Sequence, residues 1–477
     1  MVSENRTKSL AIALSVIALS ALLSFFGVGL HPIWWLTWFA LVPLLWFAAR
    51  ASAWMSFAVA AIAWIAGSLG WWHYLYRVIE IPFVACVMAL GAPAILLGLA
   101  VLFWRGFVLR GKTWVAVFSL PLAWVSVGYV QQLMSPHSTF GNLAYSQMDF
   151  LPLIQIASLA GIWGITFFLL LLPSAAAVLL SRGLQAKSAA ATVSVSFAIV
   201  LGFGFWRLHT PSEMTGTIHT QLMTNDTKGE VYSEQDSRAL ELLQKYTANP
   251  KSGSVDLILI PEKIARFSAT ASHEARNLLH DDAKSKDAFV LAGLDEQHGG
   301  NRRNAALLFA PDGSLLVDYD KHHFVPNLEV GYVTGSDYSV IQQPSGVWGV
   351  AICKDMDFPA MGRQYGKRGV GVMLVPAWDF TEDGWYHARM AILRGVESGF
   401  SIARAAKRGL LTVSDNRGRI LLEKPGSFDG IISAGALVPV EHASTLYARW
   451  GDWFPVLCIP LFLYFLMECF RKTSSRA

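Results

Sequence analysis

The sequence predicts two folds in one chain: a polytopic α-helical membrane domain, then a mixed α/β domain outside the membrane, closed by a last membrane helix. Three observations carry this. Of 477 residues, 53% are hydrophobic and only 15% charged, whereas soluble domains carry about 25% charged residues. The apolar runs crowd into residues 1–210 and 450–477. The stretch between them has ordinary soluble composition and alternates strand-like with helix-like segments.

Residues 1–210 contain apolar runs of bilayer length, roughly 20 residues each. Spans are expected near Ser9–Phe26, Trp34–Ala49, Trp54–Tyr76, Pro82–Phe107, Trp114–Gln131, Leu159–Leu180 and Ala189–Trp206, and a final one near Trp453–Phe470. No A-x-A-like cleavage site follows the first run, so it reads as a helix and not as a removed signal. Lys and Arg set the orientation. With the N-terminus cytoplasmic, inner segments hold Arg6, Lys8, Arg50, Arg105, Arg110, Lys112, Arg182, Lys187, Arg471, Lys472 and Arg476. The short outer loops hold Arg77 and little else. This asymmetry puts residues 211–449 on the outer face and returns the tail to the cytoplasm. The net charge of +4 is too mild to argue for nucleic acid.

The outer segment, about 240 residues, is long enough for a core of its own. Strands are expected at "SVDLILIPE", "DAFVLAGL", "AALLFA", "SLLVDY", "GVWGVAIC", "GVGVMLVPA" and "GLLTVSD". Helices are expected at Ser237–Ala248, Ala271–Ser285 and Tyr386–Ser398, and turns at Pro311–Gly313 and Asp415–Gly418. Three of the four cysteines, Cys86, Cys458 and Cys469, lie in apolar runs. Cys353 stands alone in the outer segment, which therefore holds no internal disulfide.

Three strand ends carry chemistry. Leu257–Ile260 is a buried-strand signal that Pro261 stops, leaving Glu262 at the mouth of a sheet. Taken alone, Glu262 reads as a solvated loop acid. Lys321, in "VDYDKHHFVP", follows an apolar strand and taken alone reads as a surface lysine. His322 and His323 are adjacent and point to opposite faces of a strand, so the pair does not read as a metal site. No cofactor is called for. Cys353 closes the run "VWGVAIC". A free cysteine there is most often a small buried hydrophobe, yet an idle exposed thiol outside the cytoplasm risks oxidation. A glutamate base, a lysine for the thiolate and oxyanion, and a thiol nucleophile form a complete set for thioester chemistry. Lys354 either favours the thiolate further or, as expected where successive residues diverge, faces solvent or a lipid headgroup.

This order resembles the nitrilase (carbon–nitrogen hydrolase) superfamily, whose set is Glu, Lys and Cys. "PEK", "YDKHHFVPNLE" and "ICKDMDFP" stand where its motifs stand. With seven spans before and one after, the chain is similar to the apolipoprotein N-acyltransferases. "FALVPLLWFA" resembles their second span, and Phe140–Leu172 resembles their loop leading into the sixth. Lys321 and Glu329 keep their Lys…Val-Pro-x-x-Glu spacing, and "WYHARMAILRGVESG" resembles their later helix, with Arg389, Arg394 and Glu397 in place.

The resemblance implies an α-β-β-α sandwich for the outer domain and a two-step acyl transfer. A phospholipid would acylate Cys353, and the N-terminal amine of a diacylglyceryl-cysteine lipoprotein would accept the chain. Glu262 would be the base, Lys321 would stabilise the oxyanion, Glu329 would position Lys321, and Asp355 matches the acid two places after the thiol. A monomer in the bacterial inner membrane, with the site on the periplasmic side, is expected. Four departures surround the site. Lys354 replaces an aromatic residue, and Pro376 and Ala377 precede Trp378 where the family often has Asn-Asp. "RAAKRG", with Lys407, replaces a Thr-Asn turn, and "HTQLMTNDTKGE" lacks the usual Gln-Gly-Asn run. A membrane-anchored amidase, an N-acyltransferase for another amine and a non-enzymatic lipoprotein scaffold are the alternatives.

Overall fold

The computed structural model describes residues 2–212, 214–225, 235–251, 253–298, 300–427 and 430–471. Its contacts divide the chain into two units. One comprises Met1–Ser135, Gly141–Trp206 and Asp452–Ala477, the other Pro136–Phe140 and Arg207–Gly451. Lys472, Arg476 and the end of "HTQLMTNDTKGE" (226–230) lie outside the described residues.

The first unit is helical because an apolar environment forces every backbone group to find a partner within its own segment. Among the described residues, five helices are long and apolar enough to cross a membrane: Lys8–Gly27, Phe83–Leu109, Thr113–Met134, Ala157–His209 and Trp453–Phe470. Ala53–Gly67 and Leu69–Val78 make a sixth span if their 48° bend is counted as one crossing. The 53 residues of Ala157–His209 contain both expected spans Leu159–Leu180 and Ala189–Trp206. A 3-10 turn at Gly183–Ala186 breaks the run, and Gly183 there has φ 55°, a conformation glycine adopts without strain. The expected span Trp34–Ala49 falls short. Trp34–Ala48 is apolar but breaks into Trp34–Leu36, Thr37–Ala40 and Val42–Ala48, so its pieces do not make one bilayer-length helix.

Val84, Met88, Ile95 and Leu99 are each more than half exposed, and their spacing puts them on one face of Phe83–Leu109. Such a stripe is at home only against lipid, so this is a membrane protein. Inside the unit, Gln147 is fully buried yet satisfied. Trp38 Nε1 donates to its Oε1 at 2.8 Å, and its Nε2 donates to the Trp34 carbonyl at 3.0 Å.

The second unit is built on strands β1 (Met214–Asn225), β2 (Leu257–Leu259), β3 (Arg266–Phe267), β4 (Phe289–His298), β5 (Asn301–Phe309), β6 (Leu315–Asp320), β7 (Ser339–Gln343), β8 (Gly346–Val350), β9 (Val372–Trp378), β10 (Ser401–Lys407), β11 (Leu410–Ser414), β12 (Ile420–Pro425) and β13 (Ile431–Glu441). They form two sheets. One has the order β13-β1-β2-β4-β5-β6, with β3 beside β4, and the other the order β12-β11-β10-β9-β8-β7. Leu257 and Leu259 pack between the sheets with Val350, Leu374 and Ala403. Ile258 and Ile260 turn the other way, into a core shared with the helices Asp236–Ala248 and Ala269–Lys286. That two-sided burial explains the unbroken apolar run of β2. Helices Pro359–Lys367 and Gly384–Ser398 supply the corresponding core of the second sheet. The result is the expected α-β-β-α sandwich.

β10 was not among the expected strands, because Arg404 and Lys407 interrupt its apolar pattern although every residue of it is buried. Strands β8, β9 and β10 run parallel. In the other sheet β2 and β4 are parallel, and two antiparallel reversals bring β6 into the same direction. The carboxyl ends of β2, β6, β8, β9 and β10 therefore collect at one edge, the usual place for chemistry in such sheets.

Candidate active site

Glu262 follows β2, Lys321 follows β6 and Cys353 follows β8. The structure brings the first two into contact. Lys321 Nζ donates to Glu262 Oε1 at 2.8 Å and to Glu329 Oε2 at 2.9 Å. Asn304, on β5, donates Nδ2 to Glu262 Oε1 at 2.6 Å and to Glu329 Oε1 at 2.7 Å. Two carboxylates facing one amide fix its orientation, since its oxygen there would meet like charge. Lys263 Nζ completes the set, 2.9 Å from Glu329 Oε1. Burial disfavours the Lys321 ammonium, but Glu262 and Glu329 outweigh it and hold its pKa well above the usual lysine value. Burial likewise pushes the Glu329 carboxyl up, but Lys321 and Lys263 bring it down to about 2.

Cys353 sits at φ 41°, in the left-handed region, on the turn that ends the strand. Strain of this kind is a mark of functional sites. Its Sγ–H donates to the Trp378 carbonyl at 3.5 Å. The sheets meet at this corner, where the Glu262 amide donates to the Ala377 carbonyl at 3.3 Å. Burial first, then Glu262, pushes the Cys353 thiol well above its usual pKa, while Lys321 and Arg404 act to lower it. Its surroundings therefore favour the protonated thiol.

Asp355 pins the turn that carries Cys353 to the segment after β6. Its Oδ2 accepts from Tyr319 Oη at 2.8 Å and from the Ile352 amide at 3.1 Å. Its Oδ1 accepts from the His322 and His323 amides at 3.1 and 2.9 Å. The His323 ring stacks on Phe358 at 3.6 Å, while the His322 ring lies over Tyr319.

Lys354 differs from the solvent-facing or headgroup-facing expectation. It is only 5% exposed, with Nζ 3.5 Å from Asp357 Oδ2 and 3.4 Å from His137 Nδ1. The turn after Cys353 is a 3-10 helix and not a strand continuation, so the side chain curls back onto Asp357, three residues on. His137 belongs to the five-residue segment Pro136–Phe140. Thr139 Oγ1 of that segment donates to the Asp357 carbonyl at 3.0 Å, and Phe140 stacks on His387. Arg389 pairs with Glu423, and Arg394 with Glu397, within and beside the helix Gly384–Ser398.

Four further groups were not picked out as site residues from the sequence: Asn304 and Lys263, which touch the two glutamates, and Asp379 and Arg404, whose charges act on the thiol. Arg404 Nη1 and Nη2 donate to Asp379 Oδ2 and Oδ1 at 2.9 and 2.5 Å, both residues being 1% exposed. A charge inside the apolar run "SIARAA" was the available signal for Arg404, because a buried arginine needs a carboxylate. Among the described residues no group of three or more His, Cys, Asp or Glu is placed to hold a metal ion.

Comparison with known proteins gives the following matches. Residues 17–176 match the model of the apolipoprotein N-acyltransferase N-terminal domain, and residues 221–423 that of the carbon–nitrogen hydrolases. An apolipoprotein N-acyltransferase of Geobacter metallireducens is 24% identical over 95% of this chain and 94% of its own. Apolipoprotein N-acyltransferase 1 of Treponema denticola is 24% identical over 71% of this chain and 74% of its own. Among solved structures, an amidase from Nesterenkonia sp. is 20% identical, covering 50% of this chain and 95% of its own with a TM-score of 0.40. One family model lies on its apolar half and the other on its sandwich, in tandem on one chain, so the protein is similar to the apolipoprotein N-acyltransferases along nearly its whole length.

Proposed function

We propose that this protein moves a fatty acyl chain from a membrane phospholipid to the N-terminal amine of a diacylglyceryl-cysteine lipoprotein, by way of a thioester on Cys353. The observation that carries the reading is the convergence of Glu262, Lys321 and Cys353 at three strand ends, in a chain that also holds membrane-spanning helices. In the first step Glu262 takes the thiol proton as Sγ attacks the ester carbonyl carbon. Asn304 and Lys321 both occupy Glu262 Oε1, which leaves Oε2 for that proton. Lys321 stabilises the tetrahedral oxyanion. The carbon–oxygen bond then breaks, Glu262 returns the proton to the departing alkoxide, and a lysophospholipid leaves. In the second step the lipoprotein amine attacks the thioester, Glu262 accepts its proton, and the thiolate departs and is reprotonated as the amide forms.

Glu329 and Asp355 are supporting residues in this scheme, the first holding Lys321 and the second the nucleophile turn. We place the second unit on the periplasmic side of a bacterial inner membrane, a reading that rests on the Lys and Arg asymmetry of the sequence. The test is mass spectrometry of purified protein given phospholipid, then a diacylglyceryl-cysteine peptide. A thioester on Cys353 followed by an N-acylated peptide is expected. An adduct that persists in Cys353→Ala overturns the site, and free fatty acid released without acylated peptide makes the protein a hydrolase.

A further inference from the structure

Asp357 is the hub of the turn Cys353–Asp357. Its Oδ2 lies 3.5 Å from Lys354 Nζ and its Oδ1 lies 3.6 Å from His387 Nδ1. Its carbonyl accepts from Thr139 Oγ1 at 3.0 Å. In a 3-10 turn, residues three apart eclipse one another, so Lys354 and Asp357 share one face. Asp355 lies on another face and bonds to the segment after β6. Lys354 and Asp357 meet the segment Pro136–Phe140 instead. That segment is a tight turn of its own. The Phe140 amide donates to the His137 carbonyl at 3.0 Å, and Ser138 has φ 49°.

The contact between the two turns has a defined chemistry. Lys354 Nζ lies 3.4 Å from His137 Nδ1. An ammonium only donates, so Nδ1 accepts and the ring proton sits on Nε2. Burial, then Lys354, lowers the His137 pKa from 6.5 to about 4, which keeps the ring neutral as an acceptor must be. Lys354 and Asp357 are 5% and 2% exposed, and a buried polar network of this kind has one satisfied arrangement. Cys353 stands next to Lys354 at φ 41°. A residue with a side chain keeps that conformation only where its surroundings impose it.

We propose that Lys354 is a positioning residue for Cys353: through His137 it clasps the segment Pro136–Phe140 to the turn that carries the thiol and so holds the thiol in line for acyl transfer. This rests on the acyl-transfer reading above and adds a second anchor of the turn, on the face that Asp355 does not reach. Lys354 acts through His137 and Asp357 and not on the thiol directly.

The experiment follows acylation of Cys353 by a long-chain p-nitrophenyl ester in detergent micelles, read as p-nitrophenolate release and as thioester mass. Lys354→Met keeps the length of the side chain and removes the ammonium. It should lower the maximal rate about tenfold, the scale of one charge-assisted hydrogen bond, and change KM less than about twofold. Lys354→Arg should recover most of the rate. His137→Phe, which keeps a ring without an acceptor, should slow acylation as Lys354→Met does, and the double variant should be no slower than either. His137→Gln, which offers an amide oxygen to Lys354, should stay close to wild type. Additive losses overturn the proposal, as does a wild-type rate in Lys354→Met. Should Lys354→Met not fold, His137→Phe against His137→Gln decides alone, and equal rates in these two overturn the proposal. Alkylation of Cys353 by iodoacetamide across pH, read by mass spectrometry, separates position from charge. The apparent thiol pKa should be the same in wild type and Lys354→Met. A rise of about one unit or more in the variant makes Lys354 a direct stabiliser of the thiolate and overturns the clasp. A wild-type protein that forms no thioester with the p-nitrophenyl ester or with phospholipid defeats the acyl-transfer reading itself, an outcome distinct from normal acylation that ignores Lys354.

Discussion

Lys321 donates to Glu262 at 2.8 Å while the two side chains are 1% and 2% exposed. A pair so deep is held by geometry, and removal of one partner leaves an uncompensated charge. Glu329, also bonded to Lys321, makes the consequence larger. Lys321→Met should therefore lower stability by about 3–5 kcal/mol and abolish thioester formation. Chemical unfolding in detergent and intact-protein mass spectrometry measure the two effects. Unchanged stability would mean that water reaches the carboxylates.

Asp355 holds the turn that carries Cys353. It accepts from the Tyr319 hydroxyl and from three backbone amides, those of Ile352, His322 and His323. Asp355→Ala leaves these donors without a partner at a fully buried position. A loss of about 2–4 kcal/mol is expected, with slower acylation of Cys353. Asp355→Asn, which keeps the shape and one acceptor oxygen, should lose less of both. Equal acylation rates in wild type and Asp355→Ala would show that the turn needs no such anchor.

Glu329 links the site to acid stability. Its carboxyl falls from 4.5 to about 2 on folding, because Lys321 and Lys263 outweigh the effect of burial. A depressed folded value stabilises the protein above the unfolded pKa, and that stabilisation is lost as pH falls through the folded one. Unfolding monitored from pH 4.5 down to about 2 should therefore show a decline that Glu329→Gln makes shallower. An identical slope in the variant would remove Glu329 from the linkage.

Two of the strand ends were legible because Glu262 and Cys353 each follow an apolar run: "LILI" before Glu262 and "VWGVAI" before Cys353. Such runs signal strands buried on both faces, and a polar residue just beyond one has nowhere to go but the sheet edge. Asn304 was invisible for the opposite reason. It begins the run "NAALLF" and looks like a strand boundary, yet it lies within β5 opposite Asp295, and pairing to β4 and β6 brings it to both glutamates. Lys354 was misjudged because strand alternation was extended past Cys353, where the chain coils into a 3-10 turn. The role of Pro136–Phe140 could not be read at all. Nothing local in "PHSTF" says that it packs on residues more than two hundred positions away, such as Asp357.

The same segment leads to the last expectation, at alkaline pH. His387 lies between Asp383, 3.1 Å from Nε2, and Asp357, 3.6 Å from Nδ1, with Phe140 stacked on its ring. Burial would lower its pKa, but Asp383 and Asp357 overcome this and raise it from 6.5 to about 10. A folded value above the unfolded one stabilises the protein fully below about 6.5, and that stabilisation is lost as pH climbs through about 10. His387→Gln removes the cation and leaves the two carboxylates facing a neutral amide. Its stability should be lower than wild type at neutral pH, and the gap should close as pH approaches 10. Thermal unfolding of both proteins across that range measures it. A gap that stays constant with pH would mean that His387 is neutral in the fold and that Asp357 depends on Lys354 alone.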